Sequence, residues 1–339
     1  MNILVTGGAG FIGSNFVRLM LNKYPDYKIV NYDKLTYAGN LENLKDVEEN
    51  PNYVFEKGDI CDAQMVREML KKHQIQVIVN FAAETHVDRS IHDPAIFTHT
   101  NVYGTQTLLD AARQNGIERY IQISTDEVYG SLGETGFFTE KTHLSPNSPY
   151  AASKGGADLL VKAYYETYGL NVNITRCSNN YGCYHFPEKL IPLMITNALD
   201  NLPLPVYGDG SNVRDWLHVS DHVSAIDSVL HHGKPGEIYN IGGQNERTNL
   251  SIVEMIVGKL NKPKSLIKFV KDRVGHDRRY AIDPAKIERE LGWAPKYTFE
   301  QGLEETIKWY VENESWWRRI KSGAYLEYYV KQYGEALHG

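Results

Sequence analysis

The chain has 339 residues, 42% of them apolar, and its 36 basic and 42 acidic residues give a formal net charge of -6. This length supports one large or two modest domains with a sizeable core. Charges of both signs are mixed along the chain, so the basic surface of a nucleic-acid-binding protein is not expected. A mean hydropathy of -0.43 and the lack of an apolar run long enough to cross a bilayer argue against a transmembrane helix.

Three cysteines, Cys61, Cys177 and Cys183, form no Cys-x-x-Cys pair, so neither a disulfide framework nor a zinc-finger site is expected. The first residues lack a basic segment, and Gly7 and Gly8 end the apolar run that a signal peptide would need. These features predict a cytoplasmic enzyme or small-molecule binder without a membrane or nucleic-acid partner.

The first half of the chain alternates short apolar runs with amphipathic segments, which is the pattern of a parallel sheet covered by helices. The predicted strands cover residues 2–6, 28–32, 53–56, 77–81, 120–124 and 172–176. The predicted helices cover residues 11–22, 63–72, 102–115 and 150–168.

Beyond Cys177 the pattern changes, because four prolines between positions 187 and 205 divide the chain into shorter pieces. A strand-like run at 237–241 ends in two glycines and is a candidate to return to the main sheet. The predicted fold is α/β, a Rossmann-type doubly wound parallel sheet with a smaller, mixed C-terminal substrate-binding domain. The predicted boundaries are 1–180, with a returning segment near 215–245, and 181–339.

Gly7 and Gly10 follow the first strand, and Gly13 lies in the first turn of the first helix. Glycines in such a turn allow a positive φ, close approach of a pyrophosphate and tight packing of helix on strand. The pyrophosphate would lie at the helix N-terminus, whose free N–H groups favour an anion. Asp33 follows Gly13 by 20 residues, where a carboxylate binds ribose hydroxyls and repels a 2′-phosphate. The pattern predicts NAD rather than NADP, a preference that the adjacent Lys34 weakens slightly.

Residues after the later strands complete the predicted cofactor site. Asp59 and Ile60 follow the third strand and are expected at the adenine edge. Ala82 and Ala83 follow the fourth strand, where small side chains let the backbone close over the pyrophosphate. The other cofactor contacts predicted in this half are Phe11, Ile12, Lys34, Leu35, Thr36, Thr100, Tyr150 and Lys154.

Tyr150 and Lys154 are four residues apart and therefore share one face of a predicted helix. A free tyrosine, with a pKa near ~10, is a poor base at neutral pH. A neighbouring ammonium and a positive nicotinamide ring favour the phenolate, so we expect a lowered pKa for Tyr150. Thr125 ends the fifth strand at the carboxyl edge of the sheet, where its hydroxyl can orient a substrate alcohol against Tyr150.

These motifs, together with residues 101–105 and 124–125, resemble the extended short-chain dehydrogenase/reductase superfamily over essentially the whole chain. The resemblance implies that a nucleotide sugar lies against the nicotinamide. It also implies that Tyr150 takes the proton of the C4 hydroxyl while the C4 hydride passes to NAD.

Asp126 and Glu127 are adjacent carboxylates at the expected mouth of the active site, where partial burial disfavours their charge. Residues 124–130, Ser-Thr-Asp-Glu-Val-Tyr-Gly, resemble the signature of the dTDP-glucose 4,6-dehydratases. GDP-mannose dehydratases and uronate decarboxylases have serine at the position of Asp126. The resemblance implies that Glu127 removes the C5 proton of a 4-keto intermediate and that Asp126 protonates the departing C6 hydroxyl.

The same resemblance implies a lyase that makes dTDP-4-keto-6-deoxyglucose for deoxysugar biosynthesis of the rhamnose type. The hydride taken from C4 returns to C6, so the cycle is redox-neutral and NAD should stay bound. A carboxyl that acts as an acid near pH 7 needs a raised pKa, which two neighbouring carboxylates in a low-dielectric cleft can supply.

The family pattern also implies substrate contacts in the second half of the chain. Arg214 and Arg273 are expected to bind the diphosphate, since a planar guanidinium forms paired hydrogen bonds with phosphate oxygens. Tyr207 is a candidate stacking face, Asn180 is expected near the nicotinamide, and Arg279 is expected to be solvated. The other implied substrate contacts are Thr85, Thr125, Asn179, Lys189, Leu190, Pro205, Val206, Asn249 and His276.

Two other functions stay open from the residues. The second interpretation is a nucleotide-sugar 4-epimerase or a uronate decarboxylase of the same superfamily, distinguished by the fate of the sugar. A remote third is a non-catalytic NAD-binding regulator, although Tyr150 and Lys154 are both present. A thymine methyl is worth about 1 kcal/mol, so the choice of dTDP over UDP rests on the resemblance.

A homodimer is implied by the resemblance, through helices at 102–112 and 155–168. Their apolar residues could face a partner or belong to the core. These residues are Leu108, Leu109, Leu159, Leu160 and Val161.

Cys177 has no adjacent histidine base and is predicted to be a packed thiol. His218 and His222 lack a third ligand and are predicted to lie at the surface rather than to bind zinc. No metal is expected.

Overall fold

The computed structural model describes residues 1–322, 329–330 and 332–333. The strands in these ranges are β1 (Asn2–Thr6), β2 (Lys28–Asp33), β3 (Tyr53–Lys57), β4 (Val77–Asn80), β5 (Arg119–Thr125), β6 (Val172–Cys177), β7 (Asn179–Tyr181), β8 (Leu204–Tyr207), β9 (Val213–His218), β10 (Ile238–Ile241), β11 (Glu246–Thr248) and β12 (Ile267–Val270).

The α-helices alternate with these strands in the first half and dominate the end of the chain. They are α1 (Phe11–Lys23), α2 (Ala63–Lys72), α3 (Val87–His92), α4 (Pro94–Phe97), α5 (Thr105–Gln114), α6 (Pro149–Tyr168), α7 (Leu190–Leu199), α8 (Val219–His232), α9 (Asn249–Lys259), α10 (Ala285–Leu291), α11 (Phe299–Glu312) and α12 (Glu314–Ile320).

Seven strands form one sheet in the order β3-β2-β1-β4-β5-β6-β10, and all neighbours are parallel. Side chains of β1 alternate between its two faces. Ile3 and Val5 enter a core that α1 and α8 cover, whereas Leu4 enters a core that α2, α5 and α6 cover. Helices on both faces of a parallel sheet confirm the predicted doubly wound α/β class.

A second group of elements packs beside the carboxyl edge of the main sheet. Strands β7, β9 and β11 form a three-stranded sheet, and β8 pairs with β12. Helices α7, α9, α11 and α12 enclose a third apolar core with buried Trp316 and Trp317. The Trp316 indole donates to Asn43 Oδ1 at 2.9 Å, which joins this group to the first half of the chain.

The segment 215–245 contributes to both groups. α8 packs on the main sheet, and β10 pairs in parallel with β6, as the run at 237–241 suggested. β9 instead pairs with β7 and β11.

The other predicted elements occur with small shifts at their ends. The largest difference is the helix predicted at 102–115, which begins as α5 at Thr105 after a π-helical turn at Thr98–Gly104. This turn directs buried Asn101 to Glu84, whose backbone N–H and C=O both bond to the Asn101 amide. Single π-helical turns of this kind are rare and often occur at functional sites.

Helix α6, which bears two predicted catalytic residues, has clear boundary signals. The Ser148 side chain accepts from the Ala151 N–H at the N-cap, and Pro149 occupies the first turn. Gly169, with a φ of 66°, ends the helix in the left-handed conformation.

Within the described ranges, no helix combines the length and the apolarity that a membrane crossing requires.

Candidate active site

A cavity of about 430 Å³ lies along the carboxyl ends of the central strands. One wall comes from the loops after β1, β2, β4, β5 and β6, and the other from β8, the start of α7 and residues of the segment 273–280. β1 and β4 are neighbours although two strands separate them in sequence, so the chain connections diverge here. Doubly wound folds bind their ligands at such a switch point.

The predicted site residues all line this cavity except Leu35 and Asp126. Leu35 lies outside the lining because its backbone turns with a φ of 56° and its N–H donates to Asp33 Oδ1 at 2.8 Å. The Leu35 backbone holds the Asp33 carboxylate, and the predicted cofactor contact of Leu35 stays a prediction.

The glycine turn after β1 leaves no space for side chains. Gly7 has a φ of 66°, and a Cβ there would lie 2.7 Å from the Ala82 nitrogen. A Cβ on Gly13 would lie 2.3 Å from the Gly7 carbonyl oxygen. Gly10 is the N-cap of α1, and no side chain caps this terminus. The exposed backbone N–H groups at the start of α1 fit the pyrophosphate of a dinucleotide.

Asp33 at the end of β2 is 7% exposed and accepts hydrogen bonds from Ala9 N (2.9 Å) and Leu35 N (2.8 Å). Burial raises the pKa of Asp33, and the two backbone bonds oppose this shift. Each carboxylate oxygen keeps an acceptor position for a ribose hydroxyl. Lys34 pairs with Asp59 at 2.8 Å, so its charge is already engaged. These residues fit NAD.

Tyr150 and Lys154 reach the cavity from one face of α6. Lys154 Nζ donates to the Ile123 carbonyl at 2.6 Å, and burial lowers its pKa. Burial and the nearby Glu127 raise the pKa of Tyr150 well above its ordinary value. In the protein by itself desolvation dominates and Lys154 bonds to a carbonyl, so the lowered pKa expected for Tyr150 beside both an ammonium and a nicotinamide ring stays a prediction.

Asp126 and Glu127 begin a 3₁₀ turn directly after β5. Glu127 lines the cavity, and its N–H donates to Thr125 Oγ1 at 3.3 Å. Asp126 is 1% exposed and lies outside the cavity lining, with Oδ1 at 3.4 Å from Thr125 Oγ1. Its Oδ2 has no hydrogen-bond partner among the described residues. The expected position of Asp126 at the mouth of the site is thus corrected to a buried one.

The two carboxyls have different environments. Burial, reinforced by the charge of Glu127, raises the pKa of Asp126 well above its ordinary value. Burial also raises the pKa of Glu127, but Arg214 and then Lys189 oppose that shift. The expected raised pKa values are found, with burial as the larger cause. Asp126 is therefore suited to hold a proton and Glu127 to lose one.

Arg214 reaches the cavity from β9. Its Nη2 donates to the Asp277 carbonyl at 2.9 Å, and its guanidinium stacks 4.2 Å from the centre of the Tyr280 ring. The Tyr280 hydroxyl donates to Asp277 Oδ2 at 2.5 Å. These contacts orient a cation at the cavity wall beside Glu127.

Three asparagines present amides to the cavity. Asn180 is already held, since Nδ2 donates to the Ser178 carbonyl at 2.9 Å and Oδ1 lies 2.8 Å from His222 Nδ1. The Oδ1 atoms of Asn179 and Asn249 are buried without a hydrogen-bond partner among the described residues. A buried carbonyl of this kind calls for a donor from a ligand.

Four carboxylates with no role predicted from the sequence line the cavity: Glu84, Asp88, Glu188 and Asp277. Asp88 pairs with Arg273 on the cavity wall. Glu188 accepts from the Tyr37 hydroxyl at 3.0 Å and from Arg89 at 3.3 Å. Asp88 and Glu188 occur in motifs beside predicted contacts, but their partners are distant in sequence, so only their charge was a signal.

Three predictions about single side chains have clear outcomes. Arg279 is not solvated, because its guanidinium forms a bidentate salt bridge with the Glu246 carboxylate. Nε donates to Oε2 at 2.6 Å and Nη2 donates to Oε1 at 2.9 Å. His218 and His222 are buried rather than at the surface, because His218 at the end of β9 stacks on Tyr297 and His222 on α8 lies against Asn180. Cys177 is a packed thiol as predicted, and burial raises its pKa.

No group of three His, Cys, Asp or Glu side chains in the described part of the chain could hold a metal ion.

Comparison with known proteins gives one consistent result. The model of the GDP-mannose 4,6 dehydratase family matches residues 4–306. The dTDP-glucose 4,6-dehydratase of Xanthomonas campestris pv. campestris (strain B100) is 53% identical over 340 residues, covering 95% of this chain and 96% of that protein.

Solved structures agree with this result. The dTDP-glucose 4,6-dehydratase of Bacillus anthracis str. Ames, in complex with NAD, is 58% identical with a TM-score of 0.89, over 95% of this chain and 100% of that one. The Streptomyces venezuelae dTDP-glucose 4,6-dehydratase, also with NAD, is 53% identical with a TM-score of 0.92 over the same shares. Since these similarities span nearly the full chain, it belongs to the dTDP-glucose 4,6-dehydratases, within the wider family named for GDP-mannose 4,6 dehydratase.

Proposed function

We propose that this protein is a hydro-lyase that converts dTDP-glucose to dTDP-4-keto-6-deoxyglucose with bound NAD, in deoxysugar biosynthesis of the rhamnose type. The observation that carries the proposal is the Asp126–Glu127 pair beside Tyr150. Oxidation and reduction at C4 alone need no further acid or base, whereas elimination of water across C5 and C6 needs one of each.

The cofactor half of the site fits NAD through residues on the first sheet. The backbone after Gly10 would hold the pyrophosphate, and Asp33 the ribose hydroxyls. When bound, NAD supplies a two-electron oxidant at C4, the matching reductant at C6, and a positive ring near Tyr150. The chain's own side chains perform the proton transfers.

Proton removal at the C4 hydroxyl belongs to Tyr150. Its phenol is neutral in the protein by itself, because burial raises its pKa. Buried Lys154, with the positive charge that bound NAD would supply, would favour the phenolate that accepts this proton. Thr125 is placed to orient the hydroxyl, since it lies at the end of β5 on the same cavity wall.

Elimination then uses one carboxyl as a base and the other as an acid. A C4 ketone acidifies the C5 proton, and Glu127, which Arg214 helps to keep ionised, removes it. Asp126, which burial keeps protonated, donates its proton to the departing C6 hydroxyl and water leaves. Because Asp126 lies behind the lining, the proton reaches the sugar through the Thr125 hydroxyl or after a rotation of the carboxyl. One proton is taken and one is given, so the pair balances over the step.

The second wall of the cavity is assigned to the nucleotide. Arg214 and Arg273 would bind the diphosphate and Tyr207 would stack on the base. In this division residues 1–180, with α8 and β10, serve mainly NAD, and 181–339 serve mainly the sugar nucleotide. Positions 323–328, 331 and 334–339 of the second part lie outside the described residues.

Mass spectrometry of the product from dTDP-glucose, with purified protein and no added NAD, tests the proposal. Loss of one water supports it and indicates that NAD stays with the protein. An unchanged mass with a glucose-to-galactose change would establish an epimerase. Decarboxylation of a nucleotide-sugar uronate, offered as a separate substrate, would favour the decarboxylase. No reaction with either substrate would favour the non-catalytic regulator.

A homodimer in the cytoplasm is the proposed state of the enzyme. Leu108, Leu109 and Val161 belong to the core and cannot face a partner. Leu159 (60% exposed) and Tyr168 (54% exposed) on α6 remain as apolar surface, which is typical of an interface.

Leu159→Glu is expected to convert the dimer to a monomer in sedimentation velocity, because a charge would be buried between the copies. Leu202→Glu, at a residue that is 42% exposed outside α5 and α6, is the matched control and should leave the dimer intact. A dimeric Leu159→Glu protein would contradict this interface.

A further inference from the structure

A bidentate salt bridge joins the two walls of the cavity. Asp88 on α3 accepts from Arg273 Nε at 2.5 Å and from Arg273 Nη2 at 3.0 Å. The side chain of Asp88 is 4% exposed and that of Arg273 is 21% exposed. Both residues line the cavity, although 185 positions separate them in sequence. The place of Arg273 in the cavity therefore depends on Asp88.

The same carboxylate also contacts the candidate stacking residue. The Tyr207 hydroxyl donates to Asp88 Oδ2 at 3.3 Å and accepts from Gln332 Nε2 at 2.8 Å. The Arg273 guanidinium lies 5.2 Å from the centre of the Tyr207 ring. One buried carboxylate thus fixes two neighbouring parts of the nucleotide wall.

The salt bridge uses only some of the N–H donors of the Arg273 guanidinium. A guanidinium has five N–H groups in one plane. Asp88 accepts two of them, and no other residue in the described ranges accepts from the rest. Because the group is planar and rigid, fixing two N–H groups also fixes the direction of the others.

We propose that Asp88 is a positioning residue for the nucleotide diphosphate, holding Arg273 so that its free N–H groups face the phosphates. This inference rests on the proposed function. Burial alone lowers the pKa of Arg273, and the adjacent Asp88 carboxylate reverses the shift and raises it.

A salt bridge with a purely structural role would affect ligand binding differently. If Asp88 only pinned the segment around Arg273, its loss would weaken binding of every part of the nucleotide alike. If it directs Arg273 at phosphate, its loss affects ligands that contain phosphate. Comparison of dTDP with thymidine separates these roles.

The test measures competitive inhibition by dTDP and by thymidine in steady-state turnover of dTDP-glucose by the NAD-loaded enzyme. In Asp88→Asn the inhibition constant for dTDP should rise about tenfold, the value of one charge-assisted hydrogen bond. The constant for thymidine should change much less, because the amide oxygen of the substituted side chain can still accept from the Tyr207 hydroxyl. Arg273→Gln should show the same selective loss, and the double variant should lose no more than Arg273→Gln alone, because the two residues act through one contact.

Glu246→Gln is the matched control. Glu246 forms a similar bidentate salt bridge with Arg279, which lies six positions after Arg273. Neither Glu246 nor Arg279 lines the cavity. Its inhibition constants should equal those of the wild type. If Asp88→Asn fails to fold, Asp88→Glu retains the buried charge but displaces the guanidinium, and the same selective loss is expected.

Equal losses for dTDP and thymidine, additive losses in the double variant, or an unchanged dTDP constant would each overturn the positioning role. A wild-type enzyme that does not turn over dTDP-glucose would instead overturn the proposed function, which is a distinguishable result.

Discussion

The Asp126 carboxyl is 1% exposed, and one of its oxygens has no hydrogen-bond partner among the described residues. Burial raises its pKa in the folded state, whereas in the unfolded chain the carboxyl ionises at its ordinary pKa. Above that ordinary value the unfolded state therefore gains from ionisation and the folded state does not. Stability contributed at this position is complete at low pH and is lost as the pH rises towards the folded pKa.

Asp126→Asn should consequently stabilise the protein at pH 7 while it abolishes dehydration. The free energy of unfolding at pH 7 should rise, because the amide has no proton to lose in the unfolded chain. Thermal or urea unfolding at pH 7 measures it. Near pH 3, where both states hold the proton, the variant and the wild type should unfold alike, and a variant less stable at pH 7 would refute this explanation.

Tyr150→Phe removes the proposed base at C4 without changing the packing of α6. The turnover rate should fall about 10²- to 10⁴-fold, the usual contribution of a positioned base, while NAD content stays unchanged. Tyr164→Phe is a control on the same helix, because the Tyr164 hydroxyl donates to Asp110 at 2.8 Å away from the cavity. Turnover of Tyr150→Phe at the wild-type rate would remove Tyr150 from the mechanism.

Among the elements, the turn from β1 into α1 has the least space. Gly13→Ala would put a Cβ 2.3 Å from the Gly7 carbonyl, so α1 must move and the pyrophosphate site with it. The purified variant should contain little NAD and unfold at a lower temperature. Gly258→Ala within α9 meets no atom within 4 Å and should be neutral or stabilising by up to about 1 kcal/mol. NAD retention by Gly13→Ala would contradict this account.

Elements with strong local signals were predictable from the sequence. The buried run of β1 and the alternation of strands and helices identified the fold, and Gly7, Gly10, Gly13 and Asp33 marked the cofactor half. A motif of this kind works because each requirement, a positive φ or a carboxylate after a strand, belongs to one residue type.

The errors concern residues whose environment depends on distant partners. Arg279 is paired by Glu246, His222 is buried against Asn180, and Asp88 meets Arg273 across the cavity. Spacing in sequence contains no information about these pairs. The raised pKa of Tyr150 in the protein by itself was likewise not predictable, because the depth of burial is a property of the folded molecule.

At the scale of the whole molecule, the cavity lies between the main sheet and the second group of elements, so a ligand there contacts both. Binding to the folded state alone adds stability, about 2.7 kcal/mol at a ligand concentration 100 times the Kd. Saturating dTDP should therefore raise the Tm of the NAD-loaded enzyme in a single transition. Arg214→Met, which lacks one proposed phosphate contact, should need more dTDP for the same rise, and no rise in the wild type would contradict dTDP binding.

The division of labour between Asp126 and Glu127 is the central claim, and isotope exchange in D₂O tests it most directly. Dehydration of dTDP-glucose by Glu127→Gln and Asp126→Asn would be followed by mass spectrometry and NMR at C5. We predict that with Glu127→Gln the sugar neither incorporates deuterium at C5 nor loses water. With Asp126→Asn the sugar should still incorporate deuterium at C5 but release little water. Full dehydration by Glu127→Gln, or wild-type water loss by Asp126→Asn, would contradict the assignment of base and acid.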